Sequence, residues 1–243
     1  MIMRMDMSMN TTTLSRVDMS NIVTEQLTAA GAAIEHDSFA IIDREVAHHD
    51  YTAEQWPLVR RMIHATADFE FNGLTRFHPD AMRAGMEAVL RGNTTIVADV
   101  EMICVGLSPV RLNHFGLSAR QFISDTDVIA QARQENSTRA VQAMRKAHKL
   151  GLLDGAIVGI GNAPTALIEV VKLVREEGAR PALVIGMPVG FVSAAESKDL
   201  LAAQQDVPWV ITAGRKGGST LVVAALHAVL SLAETRQNET KRS

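Results

Sequence analysis

The second half of the chain alternates short apolar runs with longer amphipathic segments. Five runs are rich in aliphatic residues, namely 94–98, 120–124, 156–160, 182–186 and 209–213. Between them, apolar residues recur at helical spacing over about 126–150, 164–177, 193–204 and 219–233. This alternation is typical of βαβ units, which wind into a parallel sheet with helices on both faces. We therefore predict an α/β fold, a three-layer α/β/α arrangement whose mainly parallel sheet has about five strands.

The first half of the chain predicts a helical N-terminal segment. One helix is expected over 21–33, and Ser38 is a candidate N-cap for the next. Thr52 and Gln55 have the spacing of a capping box, which predicts a third helix start. A fourth helix is expected over 79–92, from a proline to a glycine.

The polarity of the two ends sets the expected domain boundaries. Residues 1–18 are polar, Met- and Thr-rich and aperiodic, and we predict a disordered leader there. Residues 235–243 predict a frayed polar tail. Between them no linker interrupts the pattern, so we expect a single α/β domain over 19–234.

Composition narrows the functional class. The 243 residues are 47% apolar and only 4% aromatic, which favours an aliphatic core around a buried sheet. The formal net charge of −3 disfavours nucleic acid as a partner. The only cysteine, Cys104, excludes an intrachain disulfide and indicates a reducing compartment. With no secretory signal pattern and no long apolar run, we expect a cytoplasmic protein without a membrane partner.

Three glycine-rich turns follow three of the predicted strands, at 159–164, 186–191 and 214–219. Each turn opens a predicted helix, and the free N–H groups of a helix start favour an anion. Parallel sheets also use glycine in such turns for packing alone, so either interpretation fits one turn. The candidate ligand contacts are Gly161, Asn162, Gly186, Met187, Gly190, Arg215, Lys216, Gly217 and Gly218.

The turns do not match the common cofactor motifs. Gly159 and Gly161 lack the third glycine of a dinucleotide fingerprint, and the strand at 182–186 does not end in an acidic residue. No phosphate-binding loop with the Gly-Lys-Ser/Thr ending is present. His48 and His49 are adjacent, so on a helix they point in different directions and do not converge on a metal. We therefore expect no cofactor and no metal.

A few side chains are candidates for the chemistry. His64 ends a helix with an apolar face and can exchange a proton near neutral pH, although a core or capping histidine is the commoner interpretation there. Arg111 is expected to be an exposed loop cation. Arg139 is expected either to bind a carboxylate or to pair with Glu135. Asp99 follows the first strand and is expected to be a helix cap, with a polar group of the site as the less favoured alternative.

Taken together, seven segments resemble the precorrin-8X methylmutase family, with its cobalt-precorrin-8 counterpart. The resemblance covers about 34–232, and its long motifs follow the family's order. The matching segments are SFAII (38–42), VRRMIHATADFEF (59–71), IVADVEMICVGLSPVRL (96–112), NSTRA (136–140), IVGIGNAPTAL (157–167), GMPVGFVSAAESKDLL (186–201) and VPWVITAGRKGGSTLVVAAL (207–226).

The resemblance implies an isomerase of cobalamin biosynthesis. Its reaction would move a methyl group from C-11 to C-12 of precorrin-8X to give hydrogenobyrinate, or of the cobalt complex to give cobyrinate. It implies His64 as the catalytic proton donor and acceptor, and Ser38, Ser108, Arg111 and Arg139 as substrate contacts. It also implies a homodimer with the substrate site near the interface. A flat ring bearing many carboxylates suits a site of helix starts and cations.

Two other functions remain open at this stage. A non-catalytic corrinoid or tetrapyrrole carrier would keep the pocket and lose turnover, and the complete motif around His64 favours the enzyme over it. A generic α/β protein with a phosphate ligand is excluded only by the resemblance.

Overall fold

The computed structural model describes residues 28–242, and its centre is one mainly parallel sheet of six strands. The strands are β1 (Thr75–Phe77), β2 (Thr95–Ala98), β3 (Ser118–Arg120), β4 (Ile157–Ile160), β5 (Leu183–Gly186) and β6 (Trp209–Thr212). Their spatial order is β1-β6-β5-β4-β2-β3. Only β1 runs antiparallel, against β6, and every other pairing is parallel.

Helices cover both faces of the sheet, so the predicted three-layer architecture is confirmed. The helices are α1 (Ala29–Val46), α2 (Trp56–Thr66), α3 (Phe71–Leu74), α4 (Ala81–Arg91), α5 (Glu101–Gly106), α6 (Pro109–Phe115), α7 (Thr126–Gln134), α8 (Arg139–Lys149), α9 (Pro164–Glu176), α10 (Ala194–Ala202) and α11 (Ser219–Arg242). The first six helices and α11 share one core with the sheet, and α7 to α10 share the other.

Successive side chains along the central strands pack alternately into the two cores. On β5, Ile185 packs into the core shared with α11, whereas Val184 packs into the core shared with α9. All residues of β4, β5 and β6 are buried, as expected for strands covered on both faces. Gly159 on β4 lets α11 approach the sheet, because a Cβ there would lie 2.9 Å from Val222 Cγ1.

The sheet differs from the prediction at its two edges. The three-residue strand β1 was not predicted, because it is too short to show a period. The apolar run at 120–124 was predicted as a strand, but β3 occupies Ser118–Arg120 and shares only Arg120 with that run. Phe122 is buried from a loop, so its apolar character reflects packing under α7 and α8 and not strand pairing.

The predicted helix over 126–150 is two helices. Asn136 has a positive φ of 49°, which ends the first, and the Thr138 side chain accepts a hydrogen bond from the Val141 N–H to cap the second. The helices predicted over 79–92, 164–177 and 193–204 are confirmed to within about two residues.

The N-terminal helices also differ from the prediction. Ser38 lies inside α1, where its hydroxyl donates to the Ile34 carbonyl at 2.8 Å, so it is not an N-cap. The hydrogen bonds of the capping box are confirmed, because the Thr52 and Gln55 side chains each accept from the other's backbone N–H. They close a turn before α2, which begins at Trp56. The predicted leader at 1–18 lies outside the described residues.

The predicted frayed tail is wrong for residues 235–242, which continue α11. The polar side chains there still find partners, and Gln237 Oε1 lies 3.1 Å from His114 Nε2. Among the described helices, none is long and apolar enough to cross a membrane.

Candidate active site

His64 lies in the last turn of α2, on the side away from the core. Leu58, Met62 and Ile63 bury the opposite face of the helix, which leaves the imidazole exposed. The helix ends at Ala67, in a left-handed conformation.

An open cleft of about 270 Å³ lies beside His64. It brings together α1, α2, the end of α5 and the first turns of α11. Its lining residues are Glu35, Arg61, His64, Ala65, Gly106, Thr220, Val223, Ala224 and His227. Thr220 follows directly on the turn at 214–219, so the structure places the imidazole next to one of the three glycine turns.

The wall of the cleft formed by α1 and α2 contains an ion pair. Arg61 donates to the Glu35 carboxylate at 2.9 Å, and both side chains are largely buried. Arg61 and His64 are three residues apart on α2, so they share a face of that helix. Phe39 packs its ring edge-on against the His64 imidazole, with centroids 5.2 Å apart.

The opposite wall contains a second histidine that the sequence analysis missed. His227 is buried, and its Nε2 donates to the Gly106 carbonyl at 3.0 Å, which assigns its proton to Nε2. Gly106 itself allows α5 to touch α11, because a Cβ there would lie 2.7 Å from Val223 Cγ2. His227 sits in an apolar helical run, and no local pattern distinguishes it from a core residue.

The prediction that Arg111 is an exposed loop cation is wrong. It lies in α6 with only 2% of its side chain exposed. Its Nη2 donates to Ser231 Oγ at 2.7 Å and to Glu234 Oε2 at 3.4 Å, and its Nη1 lies 3.5 Å from His227 Nδ1. The guanidinium therefore joins α6 to α11 behind the cleft wall. The partners that bury it come from α11, more than a hundred residues later.

The two serines from the resemblance have local partners. Ser108 is the N-cap of α6, and its Oγ accepts from the Arg111 N–H. It lies two residues after Gly106, near the cleft. Ser38 is half-buried on α1, next to Phe39, on the side of the molecule that carries His64.

The β4–α9 turn is already occupied by a carboxylate of the chain itself. Asp99 is fully buried and accepts hydrogen bonds from the N–H groups of Gly161, Asn162 and Ala163, at 3.1, 2.8 and 2.8 Å. Burial raises the pKa of the Asp99 carboxyl, and the three amide hydrogen bonds oppose that rise. Asp99 is therefore a cap, but of the α9 start and not of the helix that follows it. The turn's own donors are not available to a ligand.

The β5–α10 turn combines a buried base with an exposed apolar tip. Gly186 and Met187 are buried, and Gly190 donates its N–H to the Arg215 carbonyl at 3.2 Å. Phe191 and Val192 are exposed, and the Arg215 guanidinium lies 5.6 Å from the Phe191 ring centroid.

The β6–α11 turn is tied to its neighbours through Lys216. The Lys216 ammonium donates to Asp68 at 2.5 Å and lies 2.9 Å from Glu70, just beyond His64 in the chain. These carboxylates raise the pKa of Lys216, chiefly through the hydrogen bond to Asp68. Gly217 and Gly218 pack on the β5–α10 turn, where Gly218 N–H donates to the Met187 carbonyl at 2.8 Å.

Arg139 lies on α8, which covers the face of the sheet opposite to α2 and His64. It is the first residue of α8 and is exposed. Glu135 pairs with Arg145 and not with Arg139, so that predicted pairing is wrong. The Thr138 and Thr165 hydroxyls are 3.1 Å apart, which places the start of α8 beside the start of α9.

Two further groups bear on reactivity. Burial, followed by the charge of Glu101, raises the pKa of the Cys104 thiol to about 11, so it stays protonated. Within residues 28–242 no three His, Cys, Asp or Glu side chains are arranged to hold a metal ion.

The comparisons with known proteins match the motifs around this cleft. The family model described as Precorrin-8X methylmutase matches residues 33–232. The chain belongs to the precorrin-8X methylmutase family. Membership makes it a methyl-migrating isomerase of cobalamin biosynthesis, as the resemblance implied, and supports the catalytic reading over a carrier.

Individual relatives cover most of the chain. A cobalt-precorrin-8 methylmutase of Leptospira interrogans is 49% identical over 87% of this chain and 98% of its own length. One from Priestia megaterium is 49% identical over 86% of this chain and 91% of its own. A precorrin-8X methylmutase of Pseudomonas aeruginosa is 38% identical over 82% and 94%.

A solved structure agrees with the fold. The precorrin-8X methylmutase of Thermus thermophilus superposes with a TM-score of 0.78 at 51% identity, covering 84% of this chain and 98% of its own. The α/β methylmutase fold predicted from the sequence is thereby confirmed.

Proposed function

We propose that this chain moves a methyl group from C-11 to C-12 of cobalt-precorrin-8, giving cobyrinate, with His64 as the proton-transfer group. The observation that carries this proposal is the position of His64. Its imidazole is exposed in a cleft that also contains Arg61 and the first turn of α11. A proton-transfer group is thus exposed beside the ion pair of Arg61 and Glu35.

The reaction needs little beyond this arrangement. The bond between C-11 and the methyl carbon breaks as the bond to C-12 forms, and no electrons enter or leave the substrate. His64 donates a proton to the conjugated macrocycle to reach the reactive tautomer and takes it back afterwards. In metal-free precorrin-8X a ring nitrogen would accept this proton. General acid–base catalysis of this kind contributes about 10²- to 10⁴-fold.

The exposed cations are the groups that remain for the substrate's carboxylates. Arg139 and Arg215 are exposed, whereas Arg111 and Lys216 already bind carboxylates of the chain. We therefore keep Arg139 and Arg215 as proposed substrate contacts and assign Arg111 a structural role. Charge-assisted hydrogen bonds from arginine suit carboxylates well.

The metal status of the substrate is proposed from the relatives. The two named cobalt-precorrin-8 methylmutases are 49% identical to this chain, and the named precorrin-8X methylmutase of Pseudomonas is 38% identical. Metal-free precorrin-8X, giving hydrogenobyrinate, is the alternative substrate.

We further propose that the chain forms a homodimer through the surface beside the cleft. Met102 and Val105 on α5 and Val110 on α6 are 61%, 75% and 53% exposed, and they flank Gly106 and Ser108. An exposed apolar patch of this kind marks an interaction site. Light scattering should give a dimer mass, and Val105→Glu should give a monomer. A monomeric wild-type protein would exclude the dimer.

A cytoplasmic location is proposed from the single cysteine alone.

One experiment tests the activity and the substrate together. The purified protein is incubated with cobalt-precorrin-8 and, separately, with precorrin-8X, and the absorption spectrum is followed over time. Faster conversion of the cobalt complex supports the proposal. Faster conversion of the metal-free compound would reverse the substrate assignment, and binding without conversion of either would support the carrier.

A further inference from the structure

Lys198, on α10, is a buried cation to which the proposed mechanism gives no role. Its side chain is fully buried, which is rare for lysine. Its Nζ donates to the backbone carbonyl of Lys216 at 2.8 Å. Burial lowers the pKa of Lys198 to about 8, because a charge is unfavourable in this environment.

The carbonyl that Lys198 holds lies in the turn at 214–219. It also accepts a hydrogen bond from Thr212 Oγ1 at 2.7 Å. Two donors from α10 and β6 therefore fix the direction of one peptide group. A buried lysine costs more than an apolar residue of the same size, so packing alone does not explain it.

The side chain of Lys216 leaves the turn in another direction, toward Asp68 and Glu70. Both acids lie within six residues of His64 and follow the end of α2. The same turn leads into α11, whose Thr220 lines the cleft. A shift of the Lys216 peptide would therefore move both the segment after His64 and the opposite wall of the cleft.

We propose that Lys198 is a positioning residue that sets the geometry of the His64 cleft by holding the Lys216 carbonyl. Lys216 then acts as the link between α10, β6 and the segment at 66–71. The effect on turnover rests on the proposed function, whereas the effect on the two segments does not.

The test compares Lys198→Met with Lys172→Met. Methionine keeps the length of the side chain and removes the donor. Lys172 is a matched control, because it is exposed on the neighbouring helix α9 and pairs only loosely with Glu176, at 3.9 Å. Substrate-free hydrogen exchange is measured by mass spectrometry over 66–71 and 213–220, and kcat and KM are measured with cobalt-precorrin-8.

For folded Lys198→Met we expect exchange on the order of 10-fold faster in both segments, with Lys172→Met unchanged. We also expect kcat to fall by on the order of 10- to 100-fold with little change in KM, since a misplaced cleft loses rate before affinity. Faster exchange only at 213–220 would overturn the proposal, and so would wild-type kcat.

A second variant keeps the test valid if Lys198→Met does not fold. Lys216→Met retains the backbone carbonyl and the buried lysine but removes the link to Asp68 and Glu70. It should speed exchange at 66–71 and leave exchange at α10 as in the wild type. Unchanged exchange at 66–71 would overturn the proposal. An inactive wild-type protein with these exchange results would instead count only against the proposed function.

Discussion

The β4–α9 turn and the β6–α11 turn look alike in the sequence and differ in the molecule. Both are glycine-rich, and both open a helix at the carboxyl end of a strand. In the first, the donors at Gly161, Asn162 and Ala163 are bound by Asp99. The second leads into Thr220, which is exposed in the cleft beside His64.

The comparison shows that glycine in such a turn reports close packing before it reports a ligand. Gly161 is required because a Cβ there would lie 2.6 Å from Ser219 Cα, where the two turns touch. The anion expected at this helix start is present, but it is a side chain of the protein. A helix start is therefore open to substrate only where no internal carboxylate has reached it first.

The largest expected effect comes from opening the network behind the cleft wall. Arg111→Met should lower the free energy of unfolding by about 3–5 kcal/mol, because Glu234 is left as a buried charge without this partner. Urea denaturation measures the loss, with the exposed Arg139→Met as the control at near zero. A loss below about 1 kcal/mol would mean that Arg111 is not the structural cation described here.

Removing the carboxylate from the closed turn should have a somewhat smaller effect. Asp99→Ala should cost about 3 kcal/mol, because three N–H donors lose their acceptor and water reaches only part of the site. Asp99→Asn keeps one acceptor oxygen and should cost about 1 kcal/mol. Equal stability of Asp99→Ala and the wild type in urea would show that the turn is not closed by Asp99.

A substitution of Arg139 tests whether the surface beside the β4–α9 turn contributes to substrate binding. Arg139→Ala should weaken macrocycle binding by about 1–3 kcal/mol, the scale of a charged hydrogen bond, without loss of stability. Titration with the product, followed by absorbance, gives the affinity. Unchanged affinity would remove Arg139 from the substrate site.

Lys198, which binds the β6–α11 turn, should make the free energy of unfolding depend on pH. Its pKa is about 8 in the folded chain, against an ordinary value of 10.5. Between these values the unfolded chain binds more protons, so the free energy of unfolding should rise with pH. The wild type should therefore gain stability over Lys198→Met from pH 8 to 10.5, with no such gain over Lys172→Met. Parallel curves would contradict the burial of this charge.

The fold was largely predictable because its signals are local. Four central strands, the capping box at Thr52 and the helix over 164–177 each follow from residues within one element. The edge strands were missed or misplaced because three residues carry no measurable period. Ser38 was misread because serine caps a helix or bonds within it with the same side chain.

The candidate site was less predictable because its geometry depends on distant partners. The sequence predicts Arg111 as an exposed cation, but α11 covers it. No local signal shows that Lys198 is buried against the β6–α11 turn. His64 came from a resemblance, since a core or capping histidine is the commoner interpretation of its own pattern. His227 had no signal at all.

The most direct test of the account is the turnover of His64→Ala. His48→Ala is the control, because that imidazole is exposed and outside the cleft. We expect the single-turnover conversion rate of cobalt-precorrin-8 to fall by about 10²- to 10⁴-fold in His64→Ala. The product, cobyrinate, should still bind as in the wild type. Conversion by His64→Ala at the wild-type rate would contradict the assignment of the proton transfer to this residue.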